Sequence, residues 1–383
     1  VLVAMSGGVD SAVAAALLRR AGHEVAGVTF KLFCYGDAGA SAKACCGLEG
    51  VRDAQASARR LGIPHVVLDL SELFRKTVYE DFAAEYARGR TPNPCVQCNT
   101  HVKFGPLLSW AREHGYDRIA TGHYVRLLRP GGEAGPALLA RAVCDEKDQS
   151  YVLWGVPREV LGACLFPLGE LTKREARAFA QELGLSVWDK EESQDICFVE
   201  GRHYTDVLRD ALGESHEIFR SGEIRDSEDR VLGTHQGLAG YTVGQRRGIG
   251  LGGGDRWHVL SLDPSQNILR VGAEAELGTR GLWAGDLNLF RERTAIEGIE
   301  LEAKIRYRHT AAPAVARFEG ERMHLSFRDE QRAVAPGQSC VLYHQGVLLG
   351  GGRIASVCDC CAPVRRVATD ASERNRAAVQ DAG

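Results

Sequence analysis

No apolar run in the 383-residue chain approaches the roughly 18 residues a membrane span needs. No secretory leader precedes the strand-like run at its start, so the expectation is a cytoplasmic protein without membrane contact. The chain also lacks a charge imbalance. Its 47 Lys and Arg against 50 Asp and Glu leave a net charge of −3. Bulk charge therefore does not mark a nucleic-acid binder, and any RNA contact must rest on local basic patches. No internal repeat is visible, and no Gly-Lys-Ser/Thr follows the glycine-rich turn near the start, which excludes a Walker loop. Cysteine, by contrast, is plentiful, with 12 residues. In a chain too long for a small secreted scaffold, such cysteines read as catalytic or metal-binding rather than as structural disulfides.

What is present begins with an apolar run, Val1-Leu2-Val3-Ala4-Met5, followed by Ser6-Gly7-Gly8-Val9-Asp10-Ser11. The run reads as a buried strand, and Ala12 to Arg20 reads as a helix closed by Gly22. Two glycines at a strand-to-helix turn let backbone approach an anion closely. The amides opening the helix are unpaired and carry the positive end of its dipole. Ser6 and Ser11 add hydroxyl donors. The result is a phosphate cradle similar to the pyrophosphatase-type loop of enzymes that cut ATP between its α and β phosphates. Asp10 reads either as a first-turn acid complementing the dipole or as an oxygen ligand for Mg²⁺ on pyrophosphate.

Strands and helices alternate up to about residue 125, which points to an α/β fold with a doubly wound parallel sheet. Val25–Phe30, His65–Leu70 and Arg118–Thr121 read as further strands, with a helix over Glu49–Leu61 and Ser71 as an N-cap. Ligands in such sheets sit beyond the carboxyl ends of the strands. The Ser6–Ser11 loop, Phe30 and Gly122-His123 should therefore face one crevice. Thr172-Lys173-Arg174-Glu175 is a capping box opening a helix to about Leu183. From about Trp257 short alternating strands predict an all-β region, read as a small barrel. The expected division is 1–200 for nucleotide binding and catalysis, 201–270 for a small central domain, 271–357 for the β-barrel, and 358–383 for a disordered tail. Gly248 to Gly254 reads as a flexible connection.

Two cysteine segments stand out. Thr91-Pro92-Asn93-Pro94-Cys95-Val96-Gln97-Cys98-Asn99 is stiffened by two prolines and enters a helix near His101. That places Cys98 near a helix N-terminus, where the dipole favours thiolate. The second segment, Ser193-Gln194-Asp195-Ile196-Cys197-Phe198, lies in a loop. A CxxC can equally be a zinc half-site, and Cys197 between apolar neighbours can equally be core. Beside an ATP-activating loop, however, separated cysteines suggest sulfur transfer. Cys144, Cys164 and Cys340 read as small buried hydrophobes, Cys45-Cys46 as part of a mobile loop, and Cys358, Cys360 and Cys361 as a cluster prone to oxidation or adventitious metal.

SGGVDS, RTPNPCVQCN, Lys103-Phe104, ATGHY, KDQSY, LFPLGEL, SQDICF, HQGLAGYTVGQRRGIG and APGQS occur in this order. With that set, the chain resembles the bacterial tRNA-specific 2-thiouridylases from residue 1 to about 356. The resemblance implies an adenine-nucleotide α-hydrolase-like domain. It implies adenylation of the C2 oxygen of the wobble uridine, U34, in tRNAs for Lys, Glu and Gln, followed by displacement of AMP by a persulfide. Carried over residue by residue, it makes Cys98 the nucleophile and Cys197 the persulfide carrier. Contacts to ATP, with Mg²⁺, fall on Ala4, Met5, Ser6, Gly7, Gly8, Val9, Asp10, Ser11, Phe30 and Gly122. Asn93, Pro94 and Cys95 flank the target base. His123, Lys147, Asp148, Gln149, Arg306, Tyr307 and Gln338 contact tRNA, and Gln245-Arg246-Arg247 adds a basic tract. A cysteine desulfurase or sulfur relay protein would supply sulfur.

This chain has Cys95 where some members of that family carry Asp. The alternative is that Cys95, Cys98 and Cys197 bind a [4Fe-4S] cluster whose free iron holds hydrosulfide; a zinc site or a redox pair also fits three thiols. Competing functions are an amidating synthetase, another RNA thiolase, and an RNA-binding module with a regulatory ATP loop.

Overall fold

The computed structural model describes residues 1–33, 48–132, 135–191, 196–199, 201–252 and 256–358. Cys45-Cys46, Ser193-Gln194-Asp195, Gly253-Gly254 and the tail beyond Cys358 lie outside the described residues. The first domain is built on a five-stranded parallel sheet. Its strands β1 (Leu2–Ala4), β2 (Ala26–Lys31), β3 (His65–Asp69) and β4 (Ile119–Ala120), with Cys164–Leu165 at the far edge, lie in the order β3-β2-β1-β4-edge. The chain winds outward from β1 to β3 and then crosses to β4 on the other side of β1. The switch in strand order thus falls between β1 and β4, where open α/β sheets bind ligands.

Helix α1 (Val9–Arg20) is alanine-rich and buried along most of its length. Alanine suits the position because it favours helix without side-chain entropy and lets α1 lie tightly between the sheet and the helix Lys173–Glu182. Helix α2 (Leu48–Leu61) buries Ala54, Ala58 and Leu61 on the same core. The capping box at Thr172 and Glu175 is present. Ser71 is not an N-cap: it is the first helical residue, and its amide and hydroxyl both donate to Asp69 Oδ1, at 3.0 and 2.6 Å.

The strands His258–Asp263 and Ile268–Gly272 pair with Gly222–Arg225 and Val231–His235 in a four-stranded sheet. They belong to the central domain and not to the barrel that the alternation from Trp257 onward suggests, and the central sheet runs to Gly272, two residues past the expected boundary at 270. Ile249 is buried in that domain's core, so the glycine-rich run is anchored at this point. The barrel proper is six-stranded, from Gly278–Leu289 round to Val347–Cys358, which pairs back onto the first strand. Cys358 therefore ends a barrel strand.

The hairpin Arg126–Leu128/Leu138–Ala140, contributed by the first domain, continues the barrel sheet through Ala140 and Val347. The KDQSY segment strengthens this seam. Ser150 Oγ and Tyr343 Oη are 3.0 Å apart, and Tyr151 Oη donates to the Ser339 carbonyl at 2.9 Å. The first and third domains thus share one continuous sheet and buried hydrogen bonds. No helix among the described residues is long and apolar enough to cross a membrane.

Candidate active site

Met5 leaves β1 and the backbone turns at Gly7, whose φ is +74°. A Cβ there would stand 2.2 Å from the Gly50 carbonyl oxygen, so glycine is required by both conformation and space. The loop is held from within. The Ser6 amide donates to Ser11 Oγ, and Ser11 Oγ donates to the Gly8 carbonyl, both at 3.1 Å. Ser11, expected as a phosphate donor, directs its proton to the loop in this state, while Ser6 is exposed at the cleft mouth. Thr29 on β2 donates to the Met5 carbonyl at 2.7 Å and lies 2.9 Å from His65 Nε2. Since the Thr29 proton is committed, His65 Nε2 is the donor in that second bond.

The cleft beside this loop is walled by Ala4, Met5, Ser6, Asp10, Ser11, Phe30 and Gly122, all expected at the nucleotide. Gly7, Gly8 and Val9 supply the backbone of the turn. Thr29, Lys103, Thr121, His123 and Gln149 complete the lining. Sequence reasoning gave Thr29 no role and assigned His123 and Gln149 to tRNA. Gln149 Oε1 accepts from the Tyr124 amide at 2.9 Å, and the side chain lies on the wall between this cleft and a second cavity containing Lys147, Lys304, Tyr307 and Arg308.

His123 is neutral. Burial, reinforced by Lys103, pushes its pKa down to about 3, and Thr121 Oγ1 lies 2.8 Å from its Nδ1. It can therefore shape the cleft but cannot act as a cation for phosphate. Below pH ~6.5 the unfolded chain takes up a proton that folded His123 refuses. The stabilisation is complete above that pH and is lost progressively as pH falls toward 3. His65, His235 and His309 are also lowered by burial and act in the same direction. Melting temperature should fall between pH 7 and 5, and His123→Gln should flatten that slope in a thermal-shift series.

Asp10 Oδ1 and Oδ2 lie 2.7 and 2.9 Å from Lys173 Nζ, and Oδ1 accepts from Tyr124 Oη at 2.9 Å. Neither Lys173 nor Tyr124 was singled out from the sequence as a site residue. The available signals were Lys173 just inside the capping box and Tyr124 at the end of the ATGHY string.

The cysteine segment becomes helical about two turns before the expected start near His101. Its helix begins at Pro94, with Asn93 as N-cap accepting from the Val96 amide at 3.4 Å. Cys95 therefore lies in the first turn, and Cys98 closes this short helix before a widened turn, Asn99–Lys103, leads to the cleft wall. Cys95 is exposed and Cys98 buried; Cys197 is partly buried, and each carries a thiol. Cys98 belongs to the same apolar cluster against which Cys197 packs. Phe198 fixes the Cys197 segment with edge-on contacts to Phe74, Tyr79 and Phe82 at 5.1 to 5.8 Å. Among the described residues, no group of three His, Cys, Asp or Glu side chains is disposed to hold a metal ion. Cys164 and Cys340 are pushed up to about 12 by burial, as inert thiols should be, whereas Cys144 is partly exposed.

Several residues expected at tRNA are occupied within the protein. Asp148 is buried and accepts from the Ala142 and Ser150 amides and the Ser150 hydroxyl. Arg306 Nη2 donates to the Val243 and Ala333 carbonyls. Gln338 Nε2 donates to the Thr91 and Pro92 carbonyls at 2.8 and 3.2 Å, so it clamps the segment carrying Asn93, Pro94 and Cys95. Gln338→Ala should cost about 1–2 kcal/mol, read by denaturant unfolding. It should lower product formation more than nucleotide cleavage. Lys147 and Tyr307 do face the second cavity, and Arg246 and Arg247 are exposed.

A glycine turn at the switch point, a cleft lined by that turn and by Lys103 at the end of the cysteine-bearing helical segment, and two appended domains built on β-sheets define a nucleotide-dependent α/β enzyme. Three family models match in succession: a tRNA methyl transferase HUP domain over residues 1–201, a tRNA methyl transferase PRC-barrel domain over 208–273, and an aminomethyltransferase beta-barrel domain over 279–354. The tRNA-specific 2-thiouridylase MnmA of Rickettsia bellii is 43% identical over 92% of this chain and 95% of its own length. That of Geobacter metallireducens is 44% identical over 92% and 96%. The chain belongs to the tRNA-specific 2-thiouridylase family. Among solved structures, a 4-thiouridine synthetase–RNA complex with bound ATP overlaps at 17% identity and a TM-score of 0.35, over 55% of this chain and 49% of that one. At that score the overlap bears on neither fold nor activity here.

Proposed function

We propose that this protein is an ATP-dependent tRNA sulfurtransferase that converts U34 of tRNAs for Lys, Glu and Gln to 2-thiouridine. The observation that carries the reading is the shared wall: the loop that cradles phosphate and the helical stretch that carries Cys98 meet at Lys103. The C2 oxygen of uracil is a poor leaving group. Its attack on the α-phosphorus, with departure of pyrophosphate, converts it to an adenylate whose AMP leaves readily. The base must leave the anticodon stack to reach the cleft. Lys147, Tyr307 and the Arg246-Arg247 tract offer the RNA its polar contacts.

The terminal sulfur of a Cys197 persulfide then attacks C2 and expels AMP. Cys98 thiolate attacks Cys197 Sγ, which forms a Cys98–Cys197 disulfide and leaves sulfur on the base. A thiol reductant and a new persulfide from a desulfurase or relay protein reset the pair. Cys98 lies in the apolar cluster against which Cys197 packs; the division of labour between them rests on the family resemblance. The described residues do not fit a [4Fe-4S] cluster, since Cys95 is exposed, Cys98 is buried and no three ligands converge. For Mg²⁺, Asp10 is the carboxylate in the cleft lining, an oxygen donor of the right kind. The ion would offset the charge on the phosphates once Asp10 is released from Lys173. The reading places the protein in the cytoplasm, with its tRNA substrates.

The test uses purified protein, tRNA bearing U34, ATP, Mg²⁺ and a persulfide donor. Pyrophosphate and 2-thiouridine in equal amounts are expected, the nucleoside identified by mass spectrometry of the digested tRNA. Absence of both would overturn the reading.

A further inference from the structure

We infer that Lys173 is the cation that meets the β,γ-phosphate end of the nucleotide, and that the groove behind it receives inorganic pyrophosphate. This deepens the ATP reading above and rests on it. Asp10 is the second residue of α1, so its carboxylate stands at the helix end that an anion would approach. Lys173 Nζ sits on both of its oxygens and is only 13% exposed. Beyond Lys173 a groove opens, lined among the described residues by Lys147, Arg174 and Arg177 together with Glu191. Asp10 lines the cleft and Lys173, on its carboxylate, lines the groove, so one ammonium stands between the cradle and a basic groove. Pyrophosphate is the reactant fragment whose charge suits that groove.

Lys173 is not needed to dock its own helix. The capping box of Thr172 and Glu175 satisfies the helix start, and Ala176 and Ala180 are buried in the same core as α1. The Asp10 pair is instead a resting contact. An incoming phosphate competes for the ammonium, since charge-assisted bonds to phosphate are strong, and the Asp10 carboxylate is released as it does so.

The experiment compares wild type, Lys173→Met, Lys173→Arg and Arg174→Ala for pyrophosphate release, KM for ATP, inhibition by added inorganic pyrophosphate, and tRNA binding. Lys173→Met should raise the KM for ATP and the pyrophosphate inhibition constant by roughly tenfold each, with tRNA affinity unchanged. Lys173→Arg should recover most of the KM. Arg174→Ala should weaken pyrophosphate inhibition more than it alters the KM. A merely structural Lys173 would lower melting temperature without moving either nucleotide constant. That result, or weaker tRNA binding at an unchanged KM, overturns the proposal. If wild type releases no pyrophosphate, the ATP reading itself fails. If wild type does and Lys173→Met matches it, only the present inference fails.

Discussion

Cys197→Ala will abolish 2-thiouridine formation, by at least about a thousandfold, while tRNA-dependent pyrophosphate release continues. The two half-reactions use different groups. Adenylation needs the Ser6–Ser11 cradle, whose hydrogen bonds and lining involve no cysteine. Sulfur transfer needs a nucleophile that carries sulfane sulfur, and alanine cannot replace it. The substitution should leave the fold intact, because Cys197 packs at the margin of its cluster while Phe198 supplies the aromatic contacts. Cys98→Ala should give the same loss of product with a different residue: sulfur-linked tRNA–protein adduct should accumulate, visible on a non-reducing gel. Cys164→Ala, which removes a buried thiol, should lower stability and spare the chemistry. The check is nucleoside analysis alongside a pyrophosphate assay on one sample. Loss of pyrophosphate in Cys197→Ala would mean that the cysteine serves activation, and the assigned roles would fall.

Local pattern made the cradle legible, because glycines between an apolar run and an alanine-rich helix leave few other conformations. The capping box at Thr172 was legible for the same reason. The helix of the cysteine segment starts about two turns before the expected point, since Pro94 is both a breaker and a good first helical residue, and Asn93 decides between them only through its cap bond. Asp148, Arg306 and Gln338 show a different limit. Their motifs are recognisable, but no string of residues states whether a polar side chain faces water or a carbonyl 247 positions away, as Gln338 does at Thr91. The hairpin that joins the barrel through Ala140 and Val347 was invisible for a related reason: strand pairing over that separation depends on the assembled fold. Lys173 escaped notice because its partner, Asp10, is 163 residues away.

Gly122→Ala should depress pyrophosphate release on the order of a hundredfold while leaving a folded protein. Gly122 follows β4 at the switch point and faces the start of α1. A Cβ there would lie 2.7 Å from both the Asp10 carbonyl carbon and the Ser11 amide nitrogen. Those are backbone atoms of the cradle, so no side chain can swing aside. The helix end must retreat from β4, carrying with it the amides that open α1 and the Ser11 hydroxyl that ties the loop. Displacements approaching an ångström at a reacting centre cost about a hundredfold in rate, whereas overpacking of this size costs about 1–3 kcal/mol in stability. Gly162→Ala is the matched control: nothing lies within 4 Å of the added methyl, and its helical φ of −57° accepts alanine. The two variants should therefore melt within several degrees of each other yet differ about a hundredfold in pyrophosphate release at subsaturating ATP. Equal rates would show that the Gly122 approach to α1 does not position the nucleotide.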